Sequence, residues 1–367
     1  MIPINIPQIG EEEIDAVVEV MRKGPLTNAL GAGPVVTEFE KNFAQFANAK
    51  YAVAVNTGTA ALHAAVVAAG VKSGDEVILP SFTFVATAEA VVLAGAKPIF
   101  ADIDPQSYNL DPSDVEKALA KKTHALLPVD IYGLSADMKP LREIADAHDL
   151  VIIEDAAQAH GLSYQGNSPG TFAEAACWSF YASKNMTTGE GGIITTNSDS
   201  VDELLRKVRT HGEKAKYTSQ MLGCNYRMSE IQAAIGKVQL KKLPTFLAKR
   251  QANARRLNEI LGASEKLHLP EEPRGGRHSW YLYTVRLLDS TEDERNRILE
   301  QMHQKGIGAE AYYVHPLHTM PYYREAFESI KLPETEKAAK QVMSLPIHPG
   351  VTEKQIDYIG DSLLQLI

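Results

Sequence analysis

Ser179-Phe180-Tyr181-Ala182-Ser183-Lys184-Asn185-Met186-Thr187-Thr188-Gly189-Glu190-Gly191-Gly192 sets one lysine just past an apolar strand, between hydroxyl groups and a glycine-rich turn. The strand candidate before it spans Ala176 to Phe180, and the next, Ile193 to Thr196, follows too soon for a helical crossover, although residues 181–190 leave room for irregular structure. One strand of the sheet is therefore expected to run antiparallel. The lysine is also a candidate for forming a Schiff base. An ammonium cannot attack a carbonyl, so such a lysine must be partly desolvated or set beside positive charge, and a strand end inside a cleft supplies that setting. With 37 Lys and Arg residues in the chain, Lys184 alone reads first as a solvated surface charge; the rest of the sequence decides.

Outward from this run, short apolar segments recur at Tyr51–Val55, Glu76–Leu79, Pro98–Ala101, His124–Val129 and Leu150–Ile153, which brings the strand candidates to seven. Helix-like segments lie between most of them, at Ala60–Ala69, Val85–Ala94, Pro112–Ala120 and Met138–His148. This alternation predicts a largely parallel sheet, and continuous apolarity in the strands predicts that helices cover both faces. Val201–Arg209 reads as a further helix, and Ser229 with Gln232 makes a capping-box start for another that runs past Leu240. After about residue 245 the texture changes. Arg250, Arg255 and Arg256 lead into the turn-rich stretch Pro270-Glu271-Glu272-Pro273-Arg274-Gly275-Gly276, and a smaller α/β domain is expected over 246–367, following a large one over 1–245. Its expected pieces are a strand at Trp280–Leu287, a helix at Glu292–Lys305, a strand at Ala309–Val314, and helices at Glu334–Met343 and Thr352–Leu366.

Composition narrows the function. The 367 residues include 44% apolar and 23% charged ones, ordinary for a globular chain, and a net charge of -9 argues against a protein that neutralises phosphate backbones, so no nucleic acid is expected. Cys177 and Cys224 are too few for a disulfide framework and read as small buried hydrophobes in a reducing compartment. No basic region followed by an apolar run marks the start, and no apolar stretch is long enough to span a membrane; a cytoplasmic location is expected.

Three strand ends carry further candidates. Asn56-Thr57-Gly58-Thr59-Ala60-Ala61-Leu62 opens a helix after the first strand, where N–H groups, hydroxyls and the helix dipole suit a phosphate; capping by Thr57 or Thr59 explains the residues equally well. Pro80-Ser81-Phe82-Thr83-Phe84 offers an aromatic ring to a flat cofactor, with Phe82 read as core and Phe84 left open. Ile152-Ile153-Glu154-Asp155-Ala156-Ala157-Gln158 ends a strand on a carboxylate, where ligands of open α/β sheets sit. Asp155 could pair there with a protonated pyridine nitrogen or cap the helix expected to follow. His315 and His318 are three apart, but Pro316 lies between them and no third ligand accompanies them, so no metal is expected. His348 is undecided. Dinucleotide, nucleotide-loop and serine-hydrolase fingerprints are absent from the sequence.

Taken together with Gly24-Pro25-Leu26-Thr27 and Gly223-Cys224-Asn225-Tyr226-Arg227-Met228-Ser229-Glu230, these segments make six motifs in order, and over essentially its whole length the chain resembles the DegT/DnrJ/EryC1/StrS family of sugar aminotransferases. The resemblance implies fold type I, with a seven-stranded mixed sheet and a small C-terminal domain, and pyridoxal 5'-phosphate as cofactor. It implies that Lys184 forms the Schiff base and shuttles a proton, that Asp155 pairs with the pyridine nitrogen, that Phe84 stacks on the ring with Gln158 close to it, and that Gly58, Thr59 and Ser179 hold the phosphate. Asn225 resembles the family asparagine that reaches the phosphate of the neighbouring subunit, which implies a homodimer with shared active sites. The implied reaction moves an amino group from an amino acid, usually glutamate, to a nucleotide-linked keto-sugar. The Thr187-Thr188-Gly189-Glu190-Gly191-Gly192 stretch resembles members acting at carbon 4, hence a 4-keto-6-deoxy sugar. Arg227, Tyr313, His315 and His348 are the candidate substrate contacts. The alternatives are a sugar dehydratase of the same family, in which histidine commonly replaces the lysine, a cyclitol aminotransferase, and a non-catalytic regulator that binds the cofactor.

Overall fold

In the computed structural model, which describes residues 1–273, 275–327 and 330–367, seven strands form one sheet. They are β1 (Tyr51–Val55), β2 (Glu76–Pro80), β3 (Lys97–Ala101), β4 (Thr123–Leu126), β5 (Val151–Asp155), β6 (Ala175–Ser179) and β7 (Gly192–Thr196), in the spatial order β1-β7-β6-β5-β4-β2-β3. The ladders from β3 to β6 are parallel, whereas β7 pairs antiparallel with both β6 and β1. The reversal follows from the glycine-rich turn, which returns the chain so that Gly192 pairs with Ser179.

Alternation along the strands sorts side chains onto two faces. Val53 and Val55, with Val77, Leu79, Ile153 and Ile194, pack against α3 (Gly58–Ala68), α4 (Ala86–Leu93) and α7 (Asp199–Arg209). Ala52, Ala54, Trp178 and Ile193 face α2 (Pro34–Phe46) and α8 (Glu230–Leu261), and Ile78, Leu126 and Ile152 face α5 (Pro112–Ala118) and α6 (Met138–His148). An N-terminal helix, α1 (Glu11–Lys23), packs on α8, where Glu13 pairs with Lys242 at 2.9 Å. A small hairpin, β8 (Glu213–Ala215) with β9 (Thr218–Ser219), stands exposed after α7.

The Ser229 and Gln232 capping box starts α8, which continues through Pro244 for 32 residues. Its first half packs into the core beneath the large sheet through Ala233 and Leu243, its second into a separate core through Ala254, Leu257 and Leu261. That second core is built on a three-stranded antiparallel sheet of β10 (Leu267–His268), β11 (Tyr283–Leu287) and β12 (Val342–Leu345), covered by α9 (Glu292–Gln304) and α12 (Glu353–Leu364). Two short helices, α10 (Pro321–Phe327) and α11 (Pro333–Gln341), complete the chain. Within the turn-rich stretch 270–276, Arg274 lies outside the described residues.

Three expectations change here. The helix expected over Glu334–Met343 stops at Gln341, because Val342 to Leu345 are wholly buried and satisfy their backbone by pairing with β11. The strand expected over Ala309–Val314 is reduced to one bridge between Glu310 and Ser344, after which Tyr132 Oη donates to the Tyr312 carbonyl and ties the segment to the connection that follows β4. The ladder expected from Trp280 begins only at Tyr283, since Trp280 takes a φ of 52°, outside the strand region.

Candidate functional site

All the strand ends singled out in the sequence meet at one edge. There β2 to β6 present their carboxyl ends, β1 finishes, and β7 begins.

Lys184 sits on the irregular stretch that follows β6. That stretch is held from within, by Thr187 Oγ1 donating to the Phe180 carbonyl at 2.9 Å and the Lys184 N–H to that of Tyr181 at 2.9 Å. It is also held from outside. Asn5 Nδ2 donates to the Ser183 carbonyl at 2.6 Å, and Asn185 Nδ2 to that of Ser279 at 2.9 Å. Lys184 Nζ lies 4.4 Å from the centre of the Tyr281 ring, a cation–π distance, and the Tyr281 hydroxyl is 3.0 Å from Ser183 Oγ. A narrow recess behind it is lined by Gln8, Asn185, Thr187, Gln239 and Arg250.

Asp155, only 4% exposed, ends β5. Thr87 Oγ1 donates to its Oδ2 at 2.8 Å and the Ala157 N–H to its Oδ1 at 3.2 Å. No regular helix follows, so the carboxylate caps a turn. Burial pushes its carboxyl upward, while the Thr87 and Ala157 hydrogen bonds and the charge of Lys184 pull it down. Among the described residues it has no ion-pair partner, and a buried carboxylate in that condition is suited to receive a cation. Gln158 is fixed close by: its Oε1 accepts the Tyr132 N–H at 2.6 Å and its Nε2 donates to the Tyr313 hydroxyl at 3.4 Å. Phe84 is 57% exposed, with its ring centre 6.4 Å from that of Tyr313, and offers an apolar face to the cleft.

The third part is an anion cradle. Thr57 caps α3 by accepting the Ala60 N–H at 3.0 Å, and the Gly58 and Thr59 N–H groups, as the first of the helix, have no intrahelical acceptor. Gly58 faces Ser179 so closely that a Cβ there would fall 2.8 Å from the serine Cβ. Thr57 does the capping, and the two amides before Ala60 are left without an intrahelical partner. The three parts fit a flat group carrying a phosphate at one end and a protonatable nitrogen at the other, as in pyridoxal 5'-phosphate.

The remaining candidates lie farther out. Asn225 is exposed, its carbonyl accepting from Asn56 Nδ2 at 3.3 Å, and half-buried Arg227 makes a backbone bridge to Val55. His315 is exposed on the segment that carries Tyr313. His348 is buried; its Nδ1 accepts the Gly350 N–H at 3.2 Å, and burial and the nearby Arg250 charge push it down to about 4. Among the described residues, no cluster of three or more His, Cys, Asp or Glu side chains could hold a metal ion. Sequence reasoning missed Thr87 and Tyr281. Thr87 was readable only as a residue of a helix, and Tyr281 is 97 positions beyond Lys184 with no local motif to link them.

The chain matches the model of the DegT/DnrJ/EryC1/StrS aminotransferase family over residues 7–364. It is 38% identical over 370 residues to GDP-perosamine synthase of Caulobacter vibrioides, covering 100% of this chain and 98% of that protein. To the pleiotropic regulatory protein of Geobacillus stearothermophilus it is 39% identical over 364 residues, covering 98% and 95%. The crystal structure of S. venezuelae DesV in complex with a ketimine intermediate is similar at a TM-score of 0.92 and 35% identity, over 99% of this chain and 98% of that one.

Proposed function

From the premise that this chain belongs to the DegT/DnrJ/EryC1/StrS aminotransferase family, and is a pyridoxal-phosphate-dependent sugar aminotransferase, we propose that it moves the amino group of an amino acid, L-glutamate, to a nucleotide-linked 4-keto-6-deoxy sugar. The observation that carries the site assignment is Asp155, a buried carboxylate without a cationic partner among the described residues, at the same sheet edge as Lys184. The name of the similar GDP-perosamine synthase supports a nucleotide-linked sugar as acceptor.

Bound here, pyridoxal phosphate supplies an aldehyde that carries the amino group and a ring that accepts the electron pair of the breaking C–H bond. The chain's own residues do the rest. Lys184 Nζ holds the cofactor between turnovers and, once released, moves a proton between the two neighbouring carbons. Asp155 keeps the ring nitrogen protonated, Thr87 and the Ala157 amide orient that carboxylate, and Phe84 and Gln158 flank the ring. The α3 terminus with Ser179 anchors the phosphate. One site serves donor and acceptor in turn, so initial rates should follow ping-pong kinetics.

We place Arg227, Tyr313 and His315 on the substrate side, with His348 behind them. Asn225 belongs to the site of a second copy in a homodimer, and the chain divides into a large part to residue 245 and a small one after it. A cytoplasmic location suits the two cysteines; among the described residues no helix is long and apolar enough to cross a membrane. The name of the Geobacillus protein keeps a second reading, a regulator without turnover. Mixing the protein loaded with pyridoxal phosphate with L-glutamate separates the two. Loss of the visible absorbance with release of 2-oxoglutarate is expected, and Lys184→Ala should abolish both; an unchanged spectrum would favour the regulator.

A further inference from the structure

The segment that carries Tyr313 and His315 is fastened to the end of β2 by one serine. The Ser81 carbonyl accepts the Leu317 N–H at 3.0 Å, while Ser81 Oγ accepts the His318 N–H at 3.0 Å and lies 2.7 Å from His318 Nδ1. A hydroxyl has a single hydrogen. Its oxygen has two lone pairs and accepts the amide through one of them, so the direction of the Nδ1 contact is set by where the ring carries its proton. In the neutral ring that proton sits on Nε2, which faces the acceptor-only carboxylate of Glu336 at 3.6 Å, and Nδ1 is left to accept the Ser81 hydrogen. Ser81 is 0% and His318 5% exposed, and burial holds the imidazole below its ordinary value, in keeping with a neutral ring. The order serine, histidine, glutamate resembles that of a hydrolase, but a hydroxyl with no exposed surface and two partners already engaged has nothing to attack.

We propose that Ser81 and His318 form a tautomer-specific latch, and that His318 is a positioning residue which sets Tyr313 against Phe84 and Gln158 and so shapes the cofactor pocket. Four residues separate Tyr313 from His318, and beyond Ser81 the segment is held by the bond from Tyr132 to the Tyr312 carbonyl. The Tyr313 ring also stands edge-on to Phe82, one residue from Ser81, at 6.3 Å, so the serine and the ring it places are joined by packing as well. The role in the pocket rests on placing the cofactor beside Phe84 and Asp155.

Three variants test it. His318→Asn keeps an acceptor where Nδ1 was, His318→Gln carries the same amide one bond too far, and Ser81→Ala removes the donor. In the apoprotein, amide exchange across 312–319 should quicken about tenfold or more in Ser81→Ala and His318→Gln, and stay within about twofold in His318→Asn. The dissociation constant for pyridoxal phosphate should rise about three- to tenfold in the first two, and the double variant should be no worse than either single one. Asn and Gln variants that behave alike would overturn the latch, and faster exchange with unchanged cofactor affinity would overturn its role in the pocket. A wild-type protein that takes up no pyridoxal phosphate would overturn the site itself, whereas the exchange contrast in apoprotein reads the latch alone.

Discussion

His160 lies fully buried between Phe43, Trp178 and Phe180, and neither ring nitrogen has a hydrogen-bond partner among the described residues. Burial, and then the charges of Lys184 and Arg250, push it from an ordinary 6.5 down to about 3. The unfolded chain takes up a proton here below about pH 6.5 and the folded chain only near pH 3, so stability is lost as pH falls across that window. Replacing the ring with one that cannot titrate removes the loss. Between pH 7 and pH 5 the unfolding free energy of His160→Phe, relative to wild type, should shift in the variant's favour by about 2 kcal/mol. Urea unfolding of apoprotein at one protein concentration reads this, and an equal difference at both pH values would mean that the histidine takes up its proton as readily when folded as when unfolded. At this scale the sequence was legible where chemistry coincided with a strand end, as for Lys184 and Asp155. Contacts made only through space, such as Tyr281 beneath Lys184 and Thr87 on Asp155, left no trace in spacing.

At the α3 terminus, capping and the proposed phosphate site draw on different residues. Thr57 satisfies Ala60, and the two amides before it remain for an anion, provided that nothing fills the gap to Ser179. Gly58→Ala should leave α3 intact and weaken pyridoxal phosphate binding by about tenfold or more, as the new methyl forces Ser179 aside. Equilibrium titration of apoprotein measures it; wild-type affinity would place the phosphate elsewhere. Elements with a strong period were readable, among them the seven strands and the capped start of α8. The helix expected over 334–343 ran too far for a tertiary reason. Residues 334–343 have helical character throughout, but Val342 and Met343 are more stable paired with β11 than extending a helix, a tertiary preference that local pattern does not contain.

For the whole molecule, the sharing of sites between two copies is open to a direct test. If Asn225 serves the neighbouring subunit, a heterodimer of Lys184→Ala with Asn225→Asp holds one site with both residues intact. Full exchange of equal amounts of the two homodimers makes half of the dimers mixed, each with one intact site of two, so about a quarter of the wild-type rate should return. Activity no higher than that of the Asn225→Asp protein alone would assign the asparagine to its own chain's site. The sheet order and the crossing connections could not be read from the sequence beyond the single reversed strand, because parallel crossovers of similar length fit several orders. Nor could the reach of α8 be seen. It carries Leu243 into one core and Leu257 into the other, with Pro244 between them unable to donate to the turn before it. Severing the chain at residue 245 would therefore yield two fragments that each expose half of an unfinished greasy groove, and coexpressed halves would be expected to recover function only by splinting that broken rod side by side.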